Sequence, residues 1–452
     1  MPGPGLSTRP CRLTKLLAVV ALVLPASAAA QQDLLEIYRE ALANDAVYSA
    51  ARYSAEAGRE RGPQGRALLL PTLGLSGSAT RTRSETEFRD TILPTTTRTP
   101  EQASYTLTLT QPLFRYQNWI QYEQGGVQVR QAEATFAQAY QDLVVRVATA
   151  YFDVLAAQDT LALVRAQKEA IAEQLAQARR NFEVGTATIT DTHEAQARFD
   201  LSNAQEIASQ NDLEAKRRVL QLLTGKEPGE LKPLRADIKL PAPNPNNMEA
   251  WAELAGKQGY PVLIQEAAVE IAALEARRNR AAHLPTVDFV ATHGQSGQSA
   301  TTDSAIGRDI TQTVIGLQFA MPLFQGGALT SRDRESAALA NKVREDLDNA
   351  RRTSILTARQ IYLTVLNGII QVQALEQALV SSQSALDSNK LGYEVGVRIN
   401  IDVLNASQQL FQTRRDLAVA RYNTITNHLR LKAAAGSLRE EDVVEVNRVL
   451  AP

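Results

Sequence analysis

Cysteine is almost absent from this chain of 452 residues, and the single one, Cys11, lies within the first thirty positions. The remainder of the chain can therefore form neither a disulfide framework nor a cysteine metal site. Histidine is nearly as scarce. His193, His283, His293 and His428 show no close spacing typical of metal ligands, and no glycine-rich phosphate loop or nucleophile elbow occurs. No catalytic constellation emerges, no metal or cofactor is expected, and the chain does not read as an enzyme; a hydrolase would lack candidate residues. Excess charge is missing too, with 48 basic against 49 acidic residues, which argues against nucleic-acid binding. Proline is absent from residues 117–227 and 325–451, so nothing interrupts a helix there.

Long apolar runs are confined to the start. Arg9, Arg12 and Lys15 flank an unbroken apolar stretch at 16–24, and Ala28-Ala29-Ala30 supplies small residues before Gln31. This pattern predicts an export signal over residues 1–30. Nine apolar residues are too few to cross a hydrocarbon core of about 30 Å. Without the three basic residues of that leader, 45 basic face 49 acidic residues, a formal charge of −4. No cysteine follows the expected cleavage point, so no lipid anchor is expected there. No later stretch reads as a membrane-crossing helix. A chain that stayed in a bilayer would then have to do so as a β-barrel.

What the sequence does hold is a restatement of its first half, offset by about 210 positions. Leu70-Pro71-Thr72 returns as Leu284-Pro285-Thr286, and Gln111-Pro112-Leu113-Phe114 as Met321-Pro322-Leu323-Phe324. Val184-Gly185 with Ile189-Thr190-Asp191 returns as Val395-Gly396 with Ile401-Asp402, and Gly225 as Gly436. Solenoid units recur every 20 to 50 residues, so this is a duplicated half-molecule. We assign residues 31–238 to the first repeat, 239–247 to a linker, 248–436 to the second repeat and 437–452 to a C-terminal tail. The wider connector, 226–247, is marked by five prolines.

Each half reads as short helix, strand pair, long helix, turn and return helix. Helices are expected over about 33–62 and 248–282. Leu73, Leu75, Gly77 and Ala79 alternate with Thr72, Gly74, Ser76, Ser78 and Thr80, and Leu107 and Leu109 alternate with threonines. That period suits tilted strands with one apolar and one wet face. Solvated loops are expected at 81–103 and 293–311. The proline of each Pro-Leu-Phe is expected to end its strand. Phe114, Tyr116, Trp119 and Tyr122, with Phe324, cluster at these junctions. They read either as an interfacial aromatic belt or as ordinary core aromatics.

Beyond them, Val144, Val147, Tyr151, Val154, Leu161, Val164, Ile171, Leu175 and Ala178 recur in steps of three, four and seven. In the second half, after Leu347 and Ala350, the residues Ala358, Ile361, Val365, Ile369, Val372, Leu375 and Leu379 recur in steps of three and four, so both series predict coiled-coil-like seams. A helix over 117–182 would extend roughly 100 Å, far too long for a compact globule.

Four strands cannot close a barrel, because membrane barrels begin at about eight. Two chains would give eight strands with a filled interior; three would give twelve and a conduit. In this order and twice over, the motifs resemble the TolC family of outer-membrane efflux and type I secretion channels. Most specific are Gly392-Tyr393-Glu394-Val395-Gly396-Val397-Arg398, Asp402-Val403-Leu404-Asn405-Ala406 and Ala420-Arg421-Tyr422-Asn423.

The resemblance implies an α+β membrane protein, four strands of each chain completing a 12-stranded outer-membrane barrel in a homotrimer. Long coiled-coil hairpins would form a 12-helix periplasmic tunnel within a mixed collar. It implies docking to a periplasmic adaptor and an inner-membrane transporter of the ABC or RND type. It further implies a gate at the periplasmic rim, with an acidic ring at Asp402 and the neighbouring ring position at Asn405. Asn405 departs from the second acid expected there, which weakens the case for cation binding. A latch would link Tyr393 and Arg398 to Asp191 and Thr190 and break as the hairpins untwist; between the copies, Tyr393, Arg398 and Asp402 of the second stand against Phe182, Ala187 and Asp191 of the first. Both aspartates also fit the first turn of a helix, where Thr188 and Asp191 could form a capping box. The alternative architecture is a periplasmic coiled-coil adaptor or structural envelope protein.

Overall fold

The computed structural model describes residues 31–451 except 90, 91, 93, 187, 236, 237, 239 and 301–305. The expected leader and Ala187 lie outside these residues. The first half runs α1 (Leu34–Asn44), α2 (Ala46–Arg59), α3 (Arg61–Ala67), β1 (Thr72–Arg81), β2 (Ser84–Thr86), β3 (Thr96–Arg98), β4 (Glu101–Phe114), α4 (Tyr116–Glu183) and α5 (Ile189–Thr224). The second runs α6 (Met248–Gln258), α7 (Tyr260–Ala281), β5 (Thr286–Gln298), β6 (Arg308–Ala320), α8 (Ala328–Glu394) and α9 (Asn400–Ala434), then a short α10 (Glu440–Asn447).

The sequence duplication is therefore a structural one. The long helices have 68 and 67 residues, each about 100 Å, and their return helices have 36 and 35. The expected single helix at 33–62 is instead three. Asp45 ends α1 and its carboxylate accepts from the Tyr48 amide to cap α2, so a local polar group overrides the apolar period. Gly259 similarly parts α6 from α7, with Pro261 in the first turn of α7.

The four long strands form one antiparallel sheet in the order β1-β4-β5-β6. Cross-strand register aligns Leu73 with Leu109, Leu109 with Ala291, and Ala291 with Ile315. One face is consequently apolar in its half nearer the helices, from Leu73 and Leu75 to Ile315, Leu317 and Phe319, and turns polar toward the loops at His293, Gln295, Thr311 and Thr313. Thr108, Thr110, Thr292, Gln312 and Gln318 line the other. Every residue of β1 and β6 is exposed, so both edge strands are bare. β4 runs on through Pro112 to Phe114 rather than stopping, with a register shift that absorbs the missing donor. The expected loops are shorter than predicted. A small β2–β3 hairpin occupies part of the first, and β5 continues to Gln298.

The main core surrounds the middle of α4. Leu143, Val144, Val147, Tyr151, Phe152 and Val154 pack with Ile37 and Tyr38 of α1, Leu220 of α5, Ile425 and Leu429 of α9 and Val443 of α10. Burying each large side chain contributes roughly 1.5–3 kcal/mol. The connector and tail join this collar through bridges pairing Gln32 with Leu231 and Leu234 with Leu450. Contrary to expectation, α4 and α8 each contain a stretch long and apolar enough to cross a membrane by composition. In α4 that stretch is largely covered by the chain itself; in α8 it is not, and Leu356, Leu363, Ile370 and Val380 stand exposed.

Candidate functional site

The two helical hairpins end in the same turn. Gly185 and Gly396 both adopt φ of +79°, a conformation in which a side chain would be strained. Gly185 N–H bonds to Phe182 O and Thr186 N–H to Asn181 O, at 3.0 and 2.8 Å. Gly396 to Tyr393 and Val397 to Gly392 repeat the pattern at 3.1 and 2.9 Å, so both turns are Schellman motifs.

The return helices then begin differently. Thr188 caps α5: its hydroxyl accepts from the Asp191 amide, while the Asp191 carboxylate accepts from the Thr188 amide at 3.0 Å. Ile399 holds the same place before α9 and offers no polar side chain. Asp402 is thereby left out of a capping box. Its Oδ2 lies 3.7 Å from Arg398 Nη1, an exposed ion pair of small worth. Arg398 itself folds back over Gly392, where an added Cβ would collide with its side chain.

Of the residues read from sequence, Tyr393, Arg398, Asp402, Asp191, Thr190 and Asn405 all sit at this one rim. Within a single chain the partners are local. Asn181 of α4 donates to the Tyr393 hydroxyl at 3.1 Å, Asp191 is in its cap, and Thr190 is exposed. Asn405 accepts from Arg198 of α5. No sequence motif marks Asn181 or Arg198. Arg198 follows Asp191 by seven positions, two helical turns on the same face, and that spacing is the signal that could have drawn notice.

Higher on the hairpins, Tyr422 of α9 donates to Asp159 of α4 at 2.6 Å, and its ring lies tilted against Phe152 at 5.7 Å between centroids. Burial raises the Asp159 carboxyl above its ordinary pKa against the opposing Tyr422 hydrogen bond. At the opposite end, Phe114, Tyr116, Trp119 and Tyr122 are exposed rather than packed, and Phe324 is 87% exposed. Trp119 donates to Glu123, and Arg277 to the Tyr116 hydroxyl. The Arg115 guanidinium grips Asp288 of β5 with two hydrogen bonds, which fixes where the sheet meets α4. Among the described residues, no group of three His, Cys, Asp or Glu is placed to hold a metal.

Known proteins are similar to this chain over nearly all of its length. Residues 37–226 and 262–437 match the family described as outer membrane efflux protein. The proteases secretion protein PrtF of Dickeya chrysanthemi is 34% identical over 440 residues, 96% of this chain and 95% of that one. The outer membrane protein TolC of Escherichia coli K12 is 32% identical over 433 residues, covering 93% and 85%. Among solved structures, the Campylobacter jejuni CmeC outer membrane channel superposes with a TM-score of 0.77 over 92% of this chain and 90% of that one, at 15% identity. The chain belongs to the outer membrane efflux protein family.

Proposed function

We propose that three copies of this chain close into one 12-stranded barrel in the outer membrane, continued into the periplasm by a tunnel of twelve helices. The duct would serve efflux of small molecules, type I protein secretion, or both. The observation that carries this reading is the sheet with two bare edges and an apolar band across one face, where Leu73, Leu109, Ala291 and Ile315 align. Such edges invite pairing, and closure between copies removes them. β1 of one chain would pair with β6 of the next. The exposed apolar side of α8 would be covered by the neighbouring chain in the same assembly. The names of the relatives support export: one is a proteases secretion protein, another an outer membrane channel.

In this reading the hairpin rim is the periplasmic gate. Three Asp402 carboxylates around a narrow pore would attract cations and repel anions. Opening would untwist the hairpins and separate the contacts of Tyr393 and Arg398, including links made to Asp191 and Thr190 across hairpins. The tunnel end would dock to a periplasmic adaptor and through it to an inner-membrane transporter, which supplies the energy. Exposed Phe114, Tyr116, Trp119 and Phe324 would sit at the membrane interface.

Purified protein reconstituted in planar bilayers tests this. The expected result is a heat-modifiable trimer that forms discrete low-conductance pores. The double variant Tyr393→Phe with Arg398→Ser should raise conductance. A monomer without pores would overturn the duct, and unchanged conductance in the double variant would overturn the gate.

A further inference from the structure

Two hydrogen bonds join the hairpins of one chain where no motif pointed to a link. Arg198, on α5, donates from Nη1 to Gln408 Oε1 at 2.6 Å and from Nη2 to Asn405 Oδ1 at 3.0 Å, both on α9. The acceptors are three residues apart and so share one helix face. A guanidinium, with its rigid fork of donors, can engage both at once; an ammonium cannot reproduce that geometry.

The same crossing is closed by apolar contact. Leu404, next to Asn405, is buried against Ile171, Leu175 and Ala178 of α4 and Ala195 of α5, with Phe199 beside it. Nearer the tip, the Asn181–Tyr393 bond spans α4 and α8. Separating the hairpins must therefore break a polar link at the tip, an apolar seam, and the Arg198 fork in register with that seam. The fork is solvated and its acceptors are neutral. A solvated bond of this type is reversible, because water replaces each partner as it leaves.

We propose that Arg198 is a positioning residue of the channel: it ties α5 to α9, holds Asn405 against the first hairpin, and biases the hairpins toward the closed arrangement. Asn405 is then a tie acceptor, not a second member of the pore ring. The proposal rests on the reading of the hairpin rim as the gate.

Single-channel recording on the intact trimer separates the two. Arg198→Ala should raise the open-to-closed ratio roughly two- to tenfold per chain, the shift expected when a solvated fork is worth one net hydrogen bond. Arg198→Lys should fall between Ala and the parent, since it restores charge without the fork. Asn405→Asp should turn the bond into an ion pair with the guanidinium and shift the ratio toward closed. In an Arg198→Ala background, Asn405→Asp should have no such effect. A parental ratio in Arg198→Ala, alongside raised conductance in the Tyr393–Arg398 double variant, overturns the tie and leaves the gate standing. The same Asn405→Asp effect with and without Arg198 also overturns it, because the new carboxylate would then act from the pore wall. If neither Arg198→Ala nor the double variant changes conduction, the gate reading falls and the tie with it. Heat-modifiable migration of each variant confirms that an assembled trimer is being recorded.

Discussion

At the scale of single residues, one substitution separates two aspartates that the repeat makes equivalent. Thr188 draws Asp191 into a capping box, whereas Ile399 cannot draw Asp402. Asp191 therefore closes its helix cap, whereas Asp402 is held only by an exposed ion pair with Arg398. Replacing Thr188 with Ala should cost about 1 kcal/mol of hairpin stability, seen as a lower melting temperature with cation preference unchanged. Ile399→Thr should do the reverse in the second hairpin. A new cap would pull Asp402 from Arg398, raise the melting temperature and alter cation preference, read as the reversal potential across a salt gradient. An Ile399→Thr channel that melts higher with the parental reversal potential would show that Asp402 does not sense the pore.

Elements show what the sequence could and could not convey. The buried series on α4 was legible because a 68-residue helix must keep one apolar seam throughout, and Val144 to Ala178 mark it. Breaks at Asp45 and Gly259 were not, since a single cap or a glycine outweighs an apolar period that continues across it. The extension of β4 past Pro112 was hidden for a similar reason: the bulge that tolerates proline belongs to strand pairing. The partners of Tyr393 and Asn405 depend on how one hairpin registers against another some 200 positions away, and no local pattern encodes that. The turns themselves were legible through their glycines. Gly396→Ala should cost roughly 1–2 kcal/mol by forcing a side chain into the left-handed region, lowering the melting temperature of the assembled protein.

The collar adds a pH-dependent element. His428 of α9 has its pKa lowered, first by burial and then by Lys432; Glu445 and Asp442 of α10 oppose this only in part. Its unfolded form binds a proton more readily than its folded form, so stability falls as pH drops below about 6.5. Above that value both forms are neutral and the residue contributes no slope. Melting temperatures measured from pH 7.5 to 5 should therefore decline, and His428→Gln should flatten the decline. An identical decline in that variant would assign the acid sensitivity to other groups.

For the whole molecule, the duplication supplies two strands and one hairpin per half, and the sheet they build is complete only in its chemistry, not in its edges. Its register assigns each side chain to one of two faces, so the assembly can be tested one face at a time. Ile315 lies mid-strand in the apolar row with Ala291, Leu109 and Leu73, whereas Gln312 faces the opposite way beside Gly294. An arginine on the lipid side near the bilayer midplane costs about 2–4 kcal/mol, while one in the lumen changes selectivity. Ile315→Arg should thus sharply reduce the heat-modifiable trimer recovered from the outer membrane. Gln312→Arg should assemble normally and shift the reversal potential toward anions. If Gln312→Arg failed to assemble while Ile315→Arg conducted, the apolar row would face the lumen and the sheet would not be a membrane barrel wall. Equal tolerance of both would mean that neither face meets lipid, and that the bare edges of β1 and β6 are closed by something other than further copies of the same sheet.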